Sequence, residues 1–406
     1  MLHVTSEIKK LKEVLLHRPG RELLNLTPDT LGKLLFDDIP YLKDAIKEHD
    51  EFAQVLKDNE IKVVYLEDLM TETLDSNPEL RKVFIEQFIK EAKVKTEINK
   101  DLLFHYLDNI KDNKELVLKT MEGIRVSDIH INYGNKESSL VELTSDESNF
   151  LAEPMPNLYF TRDPFASVGN GIVLNKMYSE TRSRETIYAE YIFKYHPKYI
   201  DKVEKFYDRN NLFSIEGGDI LNLNEHTLAI GISERTSPEG IELLSKNLFN
   251  NNDSLIDTVL AFKIPNCRAF MHLDTVFTQV DYDKFVYHPG IMDTLVVYEI
   301  TMDNNKLKVK QKEGNLDKIL EEYLHKDITL IPCAGGDAIA SEREQWNYGT
   351  NTLCIKPGVV VVYNRNDVTN ELLRSYGIKV LEINGAELAR GRGGPRCMSM
   401  PLNRED

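Results

Sequence analysis

The stretch GRGGPRCMSMPL, residues 391–402, places Cys397 directly behind a loop rich in glycine and arginine. A free cysteine is most often a small buried hydrophobe, but this segment is too polar and too rich in glycine to be ordinary core. Positive charge beside a thiol lowers its pKa, so the neighbouring Arg392 and Arg396 predict a reactive thiolate. Cys397 is therefore a candidate nucleophile.

A histidine and a carboxylate lie two residues apart in AFMHLDTVF, at His272 and Asp274. We predict an extended strand here, in which residues two apart share a face. Burying both groups on one face costs free energy unless they are paired with each other or serve in a functional site. The two residues therefore form either a satisfied structural pair or part of a site. A zinc site would need further ligands, and neither H-x-x-x-H nor C-x-x-C accompanies them.

Two further carboxylates lie beside turn signals. The run NLYFTRDPF is predicted to end a strand with Arg162 and Asp163, because Pro164 cannot donate to a sheet. In SIEGGD, Glu216 precedes two glycines that leave room for a close approach. Alternatively, either carboxylate could be part of an ordinary turn without a role in a site.

Together these residues supply a thiol, an imidazole and several carboxylates. A planar guanidinium carries N–H donors in a fixed plane, and carboxylates that accept in this plane bind it best. A thiolate above the plane can attack the central carbon of the guanidinium. The set therefore predicts a substrate that contains a guanidinium group.

In this order, FTRDPF, EGGD, HLDT and GRGGPRCMSMPL resemble the motifs of the arginine deiminase family, a branch of the guanidino-group-modifying enzymes. The resemblance covers essentially the whole chain, including VLLHRPG and LLFDDIP. It implies hydrolysis of L-arginine to L-citrulline and ammonia, the first step of arginine catabolism by the deiminase pathway, with no metal or other cofactor. The alternatives are a related amidinotransferase, an agmatine or dimethylarginine hydrolase, or an arginine-binding protein without turnover.

The resemblance also implies a role for each candidate residue. Cys397 would form a covalent amidino-cysteine intermediate, and His272 would act first as general acid and then as general base. Asp163 and Asp274 would hold the guanidinium nitrogens, and Glu216 would support both His272 and these nitrogens.

At the other end of the substrate, the resemblance implies that Arg182 and Arg235 clamp the α-carboxylate with help from Asn157. Three further residues would line the pocket: Phe160, Gly391 and Arg392. Movement of the loop around Arg392 is expected, because glycines flank it.

Composition limits the class of protein. With 406 residues, of which 41% are hydrophobic, the chain can bury a large core. A net charge of −16 argues against a nucleic-acid partner. No apolar run approaches the roughly 18 to 20 residues that cross a bilayer, and charged residues near the start argue against a signal peptide. Four scattered cysteines suggest reduced thiols. We therefore expect a cytoplasmic protein without a membrane partner, and the family resemblance suggests a homodimer or homotetramer.

The predicted fold class is α/β. Strand-like runs alternate with helices in 1–70 and in 151–406, whereas 71–150 has helical periodicity and no convincing strand. Given the resemblance, we expect a five-bladed α/β propeller of ββαβ units (the pentein fold) in 1–70 and 151–406, interrupted by an all-helical insertion domain. Residues 184–208, RETIYAEYIFKYHPKYIDKVEKFYD, are predicted to form one helix.

Two internal echoes suggest that the β-rich part repeats one unit. LKDNEIKVVYLEDL (56–69) is similar to LRSYGIKVLEINGAEL (373–388), and EGGDILNLNEHTLAIGISERTS (216–237) is similar to AGGDAIASEREQWNYGTNTLCIKPG (334–358). If both echoes are structural repeats, similar β/α units surround a common axis.

Overall fold

The computed structural model describes residues 2–133 and 150–405, which form a mixed α/β fold. Five sheets share one pattern, in which an antiparallel pair is followed by a third strand parallel to the second. In that order their strands are β19 (Met400–Arg404), β1 (Leu11–Leu16) and β2 (Lys62–Tyr65); β5 (Phe165–Val168), β6 (Gly171–Leu174) and β7 (Glu204–Tyr207); β8 (Ile220–Asn222), β9 (Thr227–Ile232) and β10 (Thr258–Lys263); β11 (Phe277–Asp281), β12 (Lys284–Tyr287) and β15 (Thr329–Pro332); β16 (Leu353–Lys356), β17 (Val359–Tyr363) and β18 (Lys379–Ile383).

Four strands lie outside this pattern. The hairpin of β13 (Val296–Asp303) and β14 (Lys306–Gln311) extends the third sheet beyond β10. Among the described residues, the short strands β3 (Ile124–Arg125) and β4 (Phe150–Ala152) pair only with each other.

Helices provide the crossovers that parallel pairing requires. Their bounds are α1 Leu42–Asp58, α2 Leu66–Ser76, α3 Leu80–Glu91, α4 Glu97–Asn109, α5 Asn113–Glu122, α6 Val126–Tyr133, α7 Glu180–Ser183, α8 Thr186–Tyr195, α9 Pro238–Phe249, α10 Leu316–Leu324, α11 Ala338–Trp346 and α12 Asp367–Ser375. Each of the five sheets has a helix between its second and third strands, namely α1, α8, α9, α10 or α12.

The first sheet is assembled from both ends of the chain, because β19 pairs with β1. Arg404 in β19 is buried, and its guanidinium donates to the carbonyls of Lys9 at 2.6 Å and Cys354 at 2.8 Å. Arg396 lies nearby, and it donates to Glu7 at 3.1 Å. Buried charges persist only when they are paired and hydrogen-bonded, so these contacts fix the C-terminal strand against two neighbouring sheets.

The single helix predicted over 184–208 is wrong. Helix α8 ends at Tyr195, and the later residues form β7. The helix ends because of Pro197. The ring of a proline clashes with the residue before it and disfavours helical backbone angles at that residue. His196 accordingly adopts extended dihedral angles, with ψ at 133°.

The two segments of the first internal echo occupy equivalent positions in two sheets. Helix α1 with strand β2, and helix α12 with strand β18, are each the helix and third strand of a sheet. The second echo is wrong. The first Gly-Gly-Asp, at 217–219, leads into strand β8, whereas the other precedes helix α11. Turn sequences draw on few residue types, so similar letters here encode different elements.

Helices α2 to α6 fill the described part of the predicted helical insertion, and residues 134–149 lie outside the described residues. Leu74 and Phe84 of these helices belong to the same buried cluster as Tyr188 and Ile192 of α8. Helix α2 begins before residue 71, and the two-residue strand β3 lies where no strand was predicted.

The four cysteines are all free. Among the described residues, no helix combines the length and the apolar character that a membrane span requires.

We predict that Arg404→Met destabilises the protein, because two buried carbonyls lose their donor. The expected loss in the free energy of unfolding is about 2 to 4 kcal/mol, measured by urea denaturation. Arg374→Met is the matched control, since Arg374 is partly exposed and bridges Glu371 and Glu382 on the surface; its expected cost is below about 1 kcal/mol. Equal losses for the two variants would contradict the assigned role of Arg404.

Candidate active site

The candidate catalytic residues lie at one recurring position of the fold, just ahead of the first strand of a sheet. Asp163 precedes β5, Glu216 precedes β8, His272 and Asp274 precede β11, and Cys397 precedes β19. The fifth sheet follows the same rule with a residue that was not predicted. Asn351 precedes β16 and accepts a hydrogen bond from the backbone N–H of Cys397 at 3.1 Å.

The local structures predicted around two of these motifs are wrong. Asp163 lies ahead of a strand rather than at the end of one, and a 3₁₀ turn at Pro156–Tyr159 comes before it. His272 is extended, but Asp274 lies in the 3₁₀ turn Leu273–Thr275, so the two do not alternate along a strand. Tertiary contacts rather than strand periodicity place both residues in the site.

Carboxylates surround His272. Its Nε2 lies 2.8 Å from Glu216 Oε2, and its Nδ1 lies 3.8 Å from Asp163 Oδ1. The other oxygen of Glu216 accepts from the backbone N–H of Tyr178 at 2.9 Å. Gly218 permits this packing, because a Cβ there would lie 2.7 Å from the imidazole ring.

These contacts set the protonation of the pair. Burial alone lowers the pKa of His272, but Asp163 and Glu216 outweigh burial and raise the pKa to about 9. Burial raises the pKa of Glu216, but the hydrogen bond and charge of His272 lower the pKa to about 2. At neutral pH His272 is therefore an imidazolium held by carboxylates.

The thiol of Cys397 is buried and donates to Asp274 Oδ2 at 3.7 Å. Burial and the charges of Asp274 and Asp163 raise the pKa of the thiol well above its usual value. The prediction that nearby arginines depress this pKa is wrong, because burial and the carboxylates outweigh them. Arg396 acts in that direction but only weakly, since its guanidinium is bound to Asp274 at 2.7 Å and to Glu7.

Asp163 and Asp274 share a distinctive arrangement of acceptors. One oxygen of each accepts from an arginine, Asp163 from Arg182 at 2.6 Å and Asp274 from Arg396 at 2.7 Å. The other oxygen, Oδ1 in both, is buried and has no hydrogen-bond partner among the described residues. Such an oxygen costs free energy until a donor reaches it. Near the thiol, the two oxygens therefore have unused capacity to accept hydrogen bonds.

The residues predicted to hold the substrate carboxylate differ in their surroundings. Arg182 is buried and bound to Asp163 and, at 2.9 Å, to Glu185. Arg235 lies with its guanidinium 5.8 Å from the centre of the Tyr178 ring. Its Nε is buried and makes no hydrogen bond to the described residues. Of Arg182 and Arg235, it is therefore Arg235 whose Nε keeps a donor unused among the described residues, with the nearest carboxylate oxygen, that of Glu234, 4.0 Å away.

Asn157 and Phe160 form part of the cavity wall. The amide of Asn157 donates to the carbonyl of Leu34 at 2.8 Å. This hydrogen bond fixes Leu35, which lines the cavity with a left-handed φ of 65°.

Gly391 and Arg392 complete the wall. A Cβ at Gly391 would overlap the hydroxyl of Tyr159. The guanidinium of Arg392 lies 4.5 Å from the centre of the Trp346 ring, and its Nε lies 3.2 Å from Asp37. The cavity has a volume of about 20 Å³, room for about one water molecule. Part of the wall must therefore move before a larger molecule can enter.

The sequence analysis assigned no role to four residues that bear on the site. Leu35 and Met271 line the cavity, and their apolar side chains gave no chemical signal. Asn351 bonds the backbone of both Cys397 and Asp274. Asp219 accepts from the backbone N–H of Leu273 at 2.8 Å; its place in EGGD was the one available signal. Among the described residues, no group of three or more His, Cys, Asp and Glu is arranged to hold a metal ion.

Comparisons with known proteins agree on one family. A family model described as arginine deiminase matches residues 32–404. The chain is 59% identical to an arginine deiminase of Treponema denticola over 409 aligned residues, which cover 100% of this chain and 99% of that protein. It is 53% identical to an arginine deiminase of Streptococcus agalactiae, with 100% and 98% covered.

Solved structures with a similar fold are more distant in sequence. The product-bound N-terminal domain of ArgZ, an arginine dihydrolase from cyanobacteria, matches with a TM-score of 0.54 at 13% identity, covering 97% of each chain. SxtG, an amidinotransferase of Microseira wollei, also matches with a TM-score of 0.54, at 17% identity, covering 100% of this chain and 98% of that one. At these identities the likeness concerns the fold alone.

We predict that Asp274→Asn makes Cys397 more reactive toward iodoacetamide. Removing this negative charge lowers the pKa of the thiol, so more thiolate is present at a given pH. A shift of about one pKa unit gives roughly tenfold faster alkylation at pH 8. Mass spectrometry of the Cys397 peptide measures the rate, and the exposed Cys267 in the same samples serves as the reference. An unchanged or slower rate would contradict the assigned electrostatics.

Proposed function

Because the chain belongs to the arginine deiminase family, we propose that it hydrolyses L-arginine to L-citrulline and ammonia at the site around Cys397. One observation carries this proposal. The thiol lies beside two buried aspartates, each with an unsatisfied oxygen. This arrangement suits a planar cation presented to a nucleophile.

Binding of the substrate prepares the nucleophile. Asp163 and Asp274 raise the pKa of the free thiol, and a guanidinium bound between them offsets their negative charge. The pKa of Cys397 therefore falls in the complex, and the thiol releases its proton to solvent, because His272 is already protonated. The thiolate then attacks the central carbon of the guanidinium and forms a tetrahedral adduct.

His272 transfers the protons that follow. As an imidazolium it donates a proton to one amino group of the adduct, which leaves as ammonia and yields the amidino-cysteine intermediate. The now neutral imidazole takes a proton from the incoming water as this water attacks the same carbon. Collapse of the second adduct breaks the bond between carbon and sulfur and releases citrulline, and the proton of the adduct's hydroxyl passes to the departing sulfur, which restores the Cys397 thiol. Glu216 keeps the imidazole oriented through both steps.

We assign the far end of the substrate to Arg235 and Arg182, whose positive charges suit an α-carboxylate. Asn157, Phe160, Gly391 and Arg392 shape the wall around the substrate. This arrangement favours arginine over agmatine, which lacks the carboxylate. We further propose that the segment around Arg392 moves to admit the substrate.

For the architecture, we propose that the five similar sheets surround one axis as a five-bladed propeller. The common entry position of the site residues and the pairing of β19 with β1 support this arrangement. Residues 1–70 and 151–406 form the catalytic domain in this proposal, and 71–150 form a helical insertion domain.

The location and assembly are proposals too. A cytoplasmic location accords with four free cysteines and a metabolite as substrate. A homodimer or homotetramer rests on the family resemblance, and light scattering of the purified protein distinguishes the two.

The central test is conversion of L-arginine to citrulline by the wild type and two variants. Cys397→Ser should abolish turnover with the fold intact, because a serine hydroxyl is a far weaker nucleophile than a thiolate. His272→Ala should lack steady-state turnover but can still load Cys397 from a substrate with a better leaving group. Rapid acid quench and intact-protein mass spectrometry detect the adduct. Substantial citrulline formation by Cys397→Ser, or an adduct on another residue, would overturn the mechanism.

Arg235→Ala should separate the two ends of the substrate. Arginine loses a charge-assisted partner for its carboxylate, so kcat/KM should fall by at least roughly a hundredfold. Slow turnover of agmatine should hardly change, because agmatine has no carboxylate to lose a partner. Equal losses on both substrates would remove Arg235 from the carboxylate site.

A further inference from the structure

A buried carboxylate outside the cavity holds the start of the loop that carries Arg392. Glu48 projects from α1, and its two oxygens accept from three successive backbone N–H groups. The distances are 3.0 Å from Ala386, 3.0 and 3.2 Å from Glu387, and 3.0 Å from Leu388. Glu48 is 8% exposed.

These three N–H groups lead into the 3₁₀ turn Leu388–Gly391, and the N–H of Leu388 is the first of the turn. The first N–H groups of a helical turn have no partner within it and need an external acceptor. An ionised carboxylate is the strongest such acceptor, and negative charge suits this end of a helical turn. Glu48 therefore caps the turn from a helix distant in sequence.

The turn leads directly into the cavity wall. Its first residue, Leu388, accepts from the Tyr159 hydroxyl at 3.0 Å. Its last residue, Gly391, packs so closely on Tyr159 that a Cβ would overlap the hydroxyl. The next residue is Arg392, so a shift at the capped end displaces the cavity wall.

Two other contacts to this loop are of a different kind. Asp37 lies 3.2 Å from Arg392, and Asp38 pairs with Arg390. Asp38 and Arg390 are substantially exposed, and exposed ion pairs contribute little to stability. The exposed pair of Asp38 and Arg390 can therefore break while the buried Glu48 contact persists.

We propose that Glu48 is a positioning residue for arginine turnover, which fixes the base of the Arg392 loop while the tip opens and closes over the substrate. The inference rests on the proposed function. Glu48 acts through the backbone of 386–388 and touches no substrate.

The test compares Glu48→Gln, Glu48→Asp and a control, Glu51→Gln. In Glu48→Gln, the side-chain amide brings its N–H donors toward the backbone N–H donors of 386–388. In Glu48→Asp, the negative charge is kept, but the side chain is shorter. Glu51 lies one turn further along α1 and accepts from Asn384 at 2.8 Å on the exposed side of the same loop, so its replacement matches the chemistry but spares the cap.

In the kinetic arm, Glu48→Gln should raise KM for arginine about tenfold, while kcat per folded enzyme changes less than about threefold. Glu48→Asp should recover part of this loss, and Glu51→Gln should behave as the wild type. A destabilised enzyme with a purely structural defect would instead show a lower Tm, less active protein and an unchanged KM. That pattern, or a wild-type KM in Glu48→Gln, overturns the proposal.

A second arm does not need turnover. In ligand-free protein, amide hydrogen exchange at 386–388 should be at least about tenfold faster in Glu48→Gln than in the wild type or Glu51→Gln. Trp346 is the one tryptophan of the chain and lies under Arg392, so its fluorescence should shift in the same variant. Unchanged exchange and fluorescence overturn the proposal. If the wild-type protein does not consume arginine, the proposed function is refuted instead. The amide hydrogen exchange rates then still test whether Glu48 fixes the backbone of 386–388.

Discussion

The arrangement of the site depends on the burial of several negatively charged side chains close together. Asp163, Glu216 and Asp274 are almost completely buried within one small volume. Carboxylates in such surroundings must be neutralised by protons or by cations. The protein supplies part of the compensation through Arg182 and Arg396 and leaves one oxygen on each aspartate unsatisfied. In the proposed function a guanidinium substrate completes the balance, so recognition of the substrate and activation of the thiol would share one electrostatic cause.

The fold brings these charges together by repetition. Each of the five sheets delivers a side chain from the segment just ahead of its first strand, and the fifth of these is Asn351. Because the position recurs, a cluster can form from residues more than two hundred positions apart, such as Asp163 and Cys397. No single segment has to contain the chemistry.

The two ends of the chain cooperate at the same place. β1 and β19 pair within one sheet, and the N-terminal helix α1 caps the loop that precedes Cys397. The loop can therefore be held firmly at its base by Glu48, while the ion pair of Asp38 and Arg390 further along it is exposed. Such a division suits a wall that must open, since the cavity as it stands has room for about one water molecule.

The sequence by itself determined the chemistry and the class of fold. Residue types around Cys397, His272 and the aspartates indicated a guanidinium substrate, and strand and helix periodicity indicated an α/β protein. Local patterns could not give the geometry, because the strand predicted for His272 and Asp274 proved to be an extended residue followed by a 3₁₀ turn. They also could not give the pKa of Cys397. Nearness in sequence suggested that Arg396 would depress it, but tertiary structure binds that guanidinium to Asp274 and buries the thiol among carboxylates. Electrostatic energies depend on distance and burial in three dimensions, and only the folded chain decides these.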